Sequence, residues 1–241
     1  MAVLRREDGA EIHYAEHGSG FPVLALAPGG LGSAAEVWDR MPWQPVPELA
    51  GHYRVITMDQ RNAGASTAPV TGTENWRTYT ADQLALLDHL GVRHCHLVGM
   101  CIGGPFILGL LKAAPERFDR VVMLQPIGLD GDRRNREAFH EMFDAWAREL
   151  APRHPDTSAR AWATYRAAMY GGDNALFSGP DSALPTIETP MLGLRGDDRY
   201  HPSGASELAA GSVPGARLVR RWREPEHLSS ARTTIAEFLQ G

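Results

Sequence analysis

The chain has no apolar run long enough to cross a bilayer, and among its 241 residues there are only two cysteines, Cys95 and Cys101. A membrane-spanning helix requires about 20 consecutive apolar residues, so we expect none. Two cysteines so close together cannot build a disulfide framework, and free thiols are typical of a reducing compartment. The charged first six residues are unlike a signal peptide. We therefore expect a cytoplasmic protein.

Strong charge of one sign is also missing, since the net charge is −5. Nucleic-acid-binding proteins carry basic patches, and this sequence has no such run. Neither nucleic acid nor a membrane surface is therefore expected as a partner. No group of His, Cys, Asp and Glu has the spacing of metal ligands, so we expect no metal ion and no cofactor. Nothing in the sequence indicates an oligomeric state.

What the sequence does contain is a regular alternation of strand and helix patterns. Hydrophobic residues make up 43% of the chain, enough for a sizeable core. After an N-terminal antiparallel hairpin, buried strands are predicted at 21–27, 53–58, 94–98 and 121–124, with helices at 80–90, starting at Thr80, and at 101–114. This order requires parallel strands joined by right-handed crossovers. We predict an α/β fold with a mostly parallel twisted sheet and helices on both faces.

The alternation is interrupted between 128 and 184. Two amphipathic helices are predicted there and no core strand, after which strand patterns resume at 190–194. We predict a small helical cap over 128–184, inserted into a core formed by 1–127 and 185–241. Most cap aromatics should pack the cap onto the core, and we single out Phe143, Trp146 and Tyr170 as candidates for lining a substrate pocket.

Cys101 stands at the apex of a glycine-rich turn between a predicted strand and a predicted helix. Gly99 and Gly103 flank it, as expected where strand and helix pass close together around a strained residue. The start of the helix favours thiolate over thiol, so this sulfur is a candidate nucleophile. A buried structural cysteine is the alternative that this turn alone leaves open.

Further motifs follow other predicted strands in a fixed order. A glycine-rich loop occupies 28–32, an Asp-Gln-Arg-Asn segment begins at 59, an Asp-Asp pair lies in the loop 196–202, and Glu-His-Leu places a histidine at 227. Ligands bind at the carboxyl ends of the strands in open parallel sheets. The order nucleophile, acid, histidine along nearly the whole chain resembles that of the α/β-hydrolase fold superfamily.

The resemblance implies a role for each of these residues. Cys101 would be the nucleophile, His227 the general base, and an aspartate would orient the imidazole. The family's spacing between the acid and the following proline, counted back from Pro202, selects Asp198 as the acid. Counted forward from Gly196, however, the loop is one residue shorter than the family's pattern, so Asp197 stays an alternative.

The same resemblance implies an oxyanion hole and a rim to the site. The backbone N–H groups of Ile102 and Gly30 would form the hole. His201, three residues after Asp198, is a candidate for substrate contact, although a solvent-facing loop histidine is the default for such a position. Arg61 is expected to brace neighbouring loops through its several donors.

The glycine-rich turn at Cys101, called the elbow below, resembles that of dienelactone hydrolases, whereas the other loops and the cap are more similar to capped esterases and C–C bond hydrolases. The resemblance therefore implies an enzyme that hydrolyses an ester, lactone or thioester of a small molecule through a thioester acyl-enzyme. Two alternatives are an acyltransferase or C–C bond hydrolase with the same triad, and a weakly catalytic small-molecule receptor.

Overall fold

The apolar runs form the centre of one eight-stranded sheet in the computed structural model, which describes all 241 residues. The strands are β1 Ala2–Arg5, β2 Glu11–His17, β3 Phe21–Leu26, β4 Tyr53–Met58, β5 Cys95–Met100, β6 Phe118–Leu124, β7 Met191–Leu194 and β8 Arg217–Val219. The sheet order is β1-β2-β4-β3-β5-β6-β7-β8, and every pair beyond the β1–β2 and β2–β4 antiparallel pairs is parallel. This confirms the predicted mostly parallel α/β sheet.

Helices cover both faces of the sheet because successive strand residues point to opposite sides. The α helices are α1 Pro45–Leu49, α2 Trp76–His89, α3 Gly103–Ala113, α4 Arg136–Leu150, α5 Ala159–Tyr170, α6 Ser203–Ser212 and α7 Pro225–Gln240. In β3, Leu24 and Leu26 join an apolar cluster with α2, α3 and the cap, whereas Val23 and Ala25 join a second cluster with α7.

Two of these helices begin earlier than the sequence pattern suggested. The start of α2 at Thr80 was wrong, because the Asn75 side chain accepts a hydrogen bond from the backbone of Arg77 and caps the helix there. The sequence pattern predicts the last helix from about Leu228, whereas α7 begins at Pro225, a residue favoured in a first helical turn. His227 therefore belongs to the first turn of α7, where its N–H donates to the carbonyl of Glu224 at 2.9 Å.

Between β6 and β7 the chain contains α4, α5 and no strand. Helix α4 packs on a short 3-10 turn, Gly30–Gly32, that follows β3. The cap thus covers the carboxyl end of the central strands, while its exact limits at 128 and 184 stay a prediction. None of the helices is both long and apolar enough to span a membrane.

A buried ion pair joins the loop after β4 to α2. Arg61 donates from Nε to Asp82 Oδ2 at 2.7 Å and from Nη2 to Asp8 Oδ2 at 2.9 Å, and the Arg61 and Asp82 side chains are only 4% and 1% exposed. This is the bracing role expected of Arg61. Removing one member of such a pair leaves a buried charge without compensation.

We expect Asp82→Asn to lower the free energy of unfolding by about 3 kcal/mol, because Arg61 would keep its buried charge and lose its main partner. The matched control is Glu11→Gln, which breaks an exposed pair with Arg5 whose side chains are 43% and 78% exposed. That change should lower the free energy of unfolding by under about 1 kcal/mol. Urea unfolding of the two variants measures the difference, and equal losses would contradict the proposed bracing.

Candidate active site

Cys101 connects β5 to α3 in a left-handed backbone conformation with φ of 61°. Its N–H donates to the carbonyl of Leu124 at 3.1 Å, and its own carbonyl accepts from the N–H groups of Gly104 at 3.1 Å and Ile127 at 3.0 Å. Non-glycine residues rarely adopt this conformation, and such strain clusters at functional sites. The turn is thus fixed on both sides by β6 and the loop after it.

The two glycines that flank the turn are required by the close approach of backbone. A Cβ atom on Gly99 would lie 2.7 Å from the carbonyl oxygen of Gly103, and one on Gly103 would lie 2.7 Å from that of Leu26. Both distances are shorter than real side chains tolerate. The sharp turn therefore depends on glycine at both positions.

The sulfur of Cys101 lies in a positive environment. Burial alone would raise the pKa of the thiol, but the His201 imidazole and the N–H groups of Gly29 and Ile102 outweigh burial and lower this pKa below its ordinary value. Those two N–H groups donate to no backbone oxygen, so they are free to face the sulfur or a ligand. A cysteine in such surroundings carries thiolate character.

Asp198 holds His201 through several hydrogen bonds. Nδ1 of His201 lies 2.8 Å from Oδ1 and 2.9 Å from Oδ2 of Asp198, and the backbone N–H groups of Tyr200 and His201 each donate to Oδ1 at 3.0 Å. Burial would lower the pKa of His201, but the Cys101 thiol and Asp198 raise it to about 9. Burial would raise the pKa of Asp198, but His201 lowers it.

The loop that carries this pair is fixed to the core and to the cap. A Cβ on Gly196 would lie 2.5 Å from Cβ of His201, so the loop closes tightly on itself. The N–H of Gly128 donates to the carbonyl of Tyr200 at 3.2 Å. The buried amide of Asn135, just before α4, donates to the carbonyls of Gly128 at 2.8 Å and of Arg199 at 3.0 Å. Histidine and acid are therefore held in a rigid segment.

The other aspartate of the loop has a different partner. Asp197 accepts from Arg223, whose Nη1 also donates to the side chain of Gln125 at 2.9 Å. Of the two aspartates, Asp198 alone contacts an imidazole. The geometry therefore favours Asp198 over Asp197 as the acid.

His227 is not brought to Asp198, contrary to the sequence expectation. It lies half-buried in the first turn of α7, its Nε2 is buried without a hydrogen-bond partner, and no carboxylate lies within 4.0 Å of its ring nitrogens. The carboxylate of Asp198 is occupied by His201, which follows it by three residues. The histidine beside Asp198 is thus His201, the one first considered for substrate contact, and a catalytic role for either histidine stays a prediction.

The sequence predicts an oxyanion hole from the N–H groups of Ile102 and Gly30. The two backbone N–H groups that lie beside the sulfur are those of Ile102 and Gly29, and not that of Gly30. Gly30 begins the 3-10 turn and lies under α4, where an added Cβ would be 2.9 Å from Sδ of Met142. The signal for Gly29 was present in the sequence as the first glycine of the loop.

The cap aromatics divide into two groups. Phe143 and Trp146 pack edge-on to each other and to Tyr165, with ring centroids 5.2 to 5.8 Å apart. The hydroxyl of Tyr170 is buried without a partner. Burial raises the pKa of Tyr170, and the nearby Cys101 thiol adds to the shift. Among the three cap residues, Tyr170 is therefore the one whose buried hydroxyl lies near enough to the Cys101 thiol for the two charges to interact.

Cys95 differs from Cys101 in every relevant respect. It is 0% exposed at the beginning of β5, and burial raises the pKa of its thiol to about 12. A fully buried neutral thiol is unreactive. No three His, Cys, Asp or Glu side chains come together in an arrangement that would hold a metal ion.

Known proteins with a similar sequence share this architecture. The family model described as alpha/beta hydrolase fold matches residues 22–207. The chain is 27% identical to RutD of Azorhizobium caulinodans, assigned as a carbamate hydrolase, over 87% of this chain and 86% of that protein. It is 26% identical to the 2-hydroxymuconate semialdehyde hydrolase of Pseudomonas sp. strain CF600, over 96% and 91% of the two chains.

A solved structure gives the same result in three dimensions. A hydrolase from Pseudomonas aeruginosa superposes with a TM-score of 0.70 and 26% identity, covering 100% of this chain and 98% of the other. The sheet, the helices on its two faces and the helical segment before β7 therefore belong to an arrangement found in known hydrolases.

The lowered pKa of Cys101 predicts how its alkylation responds to pH. For an ordinary thiol the rate falls about 25-fold between pH 9 and pH 7, because the thiolate is lost below a pKa near 8.5. We expect iodoacetamide to modify Cys101 with a much smaller decrease over this range, measured by intact mass.

Cys101→Ala is the control and should take up no label, because Cys95 is buried and its pKa is raised. An ordinary 25-fold decrease for the unmodified chain would show that the surroundings of Cys101 do not favour its thiolate.

Proposed function

Because the chain belongs to the alpha/beta hydrolase fold family, we propose that it is a hydrolase with Cys101 as nucleophile and a Cys–His–Asp triad, acting on an ester, lactone or thioester of a small molecule. One observation carries the proposal. The sulfur sits on a strained turn, faces an imidazole that a carboxylate holds, and has two free N–H groups beside it. These are the parts that acyl transfer requires.

The chemistry follows from the charges around the sulfur. The thiolate adds to the carbonyl carbon, and the electron pair of the C=O bond moves to oxygen. The N–H groups of Gly29 and Ile102 lie beside the sulfur and would stabilise that negative charge. A donor of this kind contributes about 3 kcal/mol in the transition state. Collapse of the intermediate leaves an acyl group on Cys101 as a thioester.

The nucleophile also limits the substrate class. A thiolate of lowered pKa is itself a good leaving group, so the tetrahedral intermediate returns to substrate unless the departing oxygen or sulfur leaves as readily. Thioesters, enol esters and strained lactones meet this condition better than simple alkyl esters. We therefore assign activated acyl compounds as the substrate class.

A second candidate, C–C bond hydrolysis, is supported by the similarity to the 2-hydroxymuconate semialdehyde hydrolase along 96% of this chain. In that reaction the departing group is a carbon and must be protonated as it leaves. The cap over the site supplies the enclosure that either reaction needs, and Tyr170 contributes an unpartnered hydroxyl to it. Product analysis on an activated ester and on a vinylogous 1,5-diketone distinguishes the two candidates.

The acyl-enzyme is the testable core of the proposal. After reaction with 4-nitrophenyl acetate, acid-quenched protein should gain the mass of one acetyl group. Peptide mapping should find this group on the peptide that contains Cys101 and on no other peptide. We expect Cys101→Ala to lower kcat/KM at least 10³-fold, because no other nucleophile stands at the elbow.

Cys95→Ala is the matched control and should keep its activity, because that thiol is buried away from the elbow. Full activity of Cys101→Ala toward the ester would refute the proposed function.

A further inference from the structure

We propose that His201 is the catalytic imidazole of this site, so that base and acid come from one loop, residues 196–202, and the triad is Cys101, His201 and Asp198. His227, which follows the last strand, would then have no part in proton transfer. The inference rests on the proposed function, because it assigns the group that moves protons in the reaction of Cys101.

The orientation of the imidazole is the first argument. Both carboxylate oxygens of Asp198 lie within 2.9 Å of Nδ1, so this nitrogen carries a proton and Nε2 points away. Nε2 is buried and has no fully aligned hydrogen bond in the protein, and the group it acts on is the thiol of Cys101. The His201 side chain is only 13% exposed. This is the arrangement in which an acid fixes the tautomer and the second nitrogen serves the nucleophile.

The local backbone makes the pair possible over so short a distance in the chain. The N–H of Asp198 donates to the carbonyl of His201 at 3.3 Å, which closes the turn. The backbone N–H of His201 donates a hydrogen bond to Oδ1 of Asp198 at 3.0 Å. Acid and base are therefore connected through backbone as well as side chains, and their relative position does not depend on how two separate loops pack.

His227 lacks what a catalytic imidazole needs. The histidine–carboxylate contacts within 4.0 Å in this chain involve His94, His140 and His201. His227 has no such partner to fix its tautomer. The one other charged group near the Asp198 carboxylate is Arg223, with Nη1 3.6 Å from Oδ2.

The groups that face His201 favour its charged form. Asp198 and the Cys101 thiol are the anionic groups against the ring. From the cap, Tyr170 contributes a neutral hydroxyl near the sulfur. Arg199, in the same loop as His201, pairs with Glu141 of α4, with Nη2 3.1 Å from Oε2. The pKa of His201 is raised to about 9 while that of Cys101 is lowered. Both shifts favour the thiolate and imidazolium form of the pair.

In this assignment, His201 gives or accepts every proton that moves between the protein and the substrate. The thiolate forms the C–S bond, the tetrahedral oxyanion collapses, and the leaving group takes the proton from Nε2. Water then attacks the thioester carbonyl while Nε2 accepts a proton from it. The second collapse breaks the C–S bond, restores thiolate and imidazolium, and releases the acid.

Two matched histidine variants test the assignment. We expect His201→Gln to lower kcat/KM for 4-nitrophenyl acetate about 10²- to 10⁴-fold, with the loss mainly in kcat, because proton transfer is removed. The kcat/KM of His227→Gln should stay within about threefold of that of the unmodified chain, a ratio that corresponds to well under 1 kcal/mol of activation free energy. The reverse pattern would overturn the inference.

The pH dependence of Cys101 alkylation is a measurement that would not change if His201 had only a structural role. His201→Gln should shift the pH midpoint of the alkylation rate upward, toward an ordinary thiol, and Asp198→Asn should do so by less. His227→Gln should leave the midpoint unchanged. An upward shift in His227→Gln and not in His201→Gln overturns the inference even if both variants lose activity.

The two proposals fail in different ways. If Cys101→Ala keeps its esterase activity, the proposed function is wrong. If Cys101→Ala is inactive and His201→Gln is fully active and folded, as judged by its circular dichroism, the nucleophile stands and only the assignment of His201 is wrong.

Discussion

The left-handed backbone of Cys101 is the constraint on which the rest of the site depends. It turns the chain from β5 into α3 within two residues, which is feasible only because β3, β5 and α3 approach at Gly99 and Gly103 without side chains between them. Strain of this kind costs about 1–3 kcal/mol and must be held by surrounding structure. Here the holding groups are main-chain hydrogen bonds to β6 and to the loop after it. The sulfur is therefore placed by the sheet itself and not by a mobile loop.

The electrostatics of the site depend on a second rigid element, the turn that carries Asp198 and His201. Because Asn135 joins this turn to the first residues of the cap, the cap and the imidazole cannot shift independently. Helix α4 meanwhile packs on the glycine loop, next to the N–H group of Gly29 beside the sulfur. A cap that repacks would thus change the surroundings of both His201 and this loop. Under the proposed function, the shape of the substrate and the geometry of the reacting groups would be coupled through these contacts.

Most of the sheet and the sharp turn at Cys101 could be predicted from sequence, because both depend on residues that are close together in the chain. Buried strands are continuous apolar runs, and the turn at Cys101 is defined by glycines within a few residues of it. The distance from Pro202 also singled out Asp198, the aspartate of its loop that contacts an imidazole. The histidine that it contacts could not be predicted, because this depends on where α7 begins, which Pro225 and Glu224 decide, and on the fold of a loop that turns back on itself. The spacing of His201 from Asp198 was visible, but a histidine three residues from an aspartate in a loop is usually just a surface pair.

A cysteine in place of serine at the elbow also makes the protein sensitive to oxidants. Thiolates are the form that peroxides oxidise, first to a sulfenic acid that a neighbouring thiol can convert to a disulfide. The second thiol of this chain, Cys95, lies at the far end of β5, about 20 Å away along the strand, and is fully buried. Within one chain, therefore, an oxidised Cys101 has no thiol to protect it from further oxidation. Reactivation has to come from a small thiol or reductase that can pass the cap.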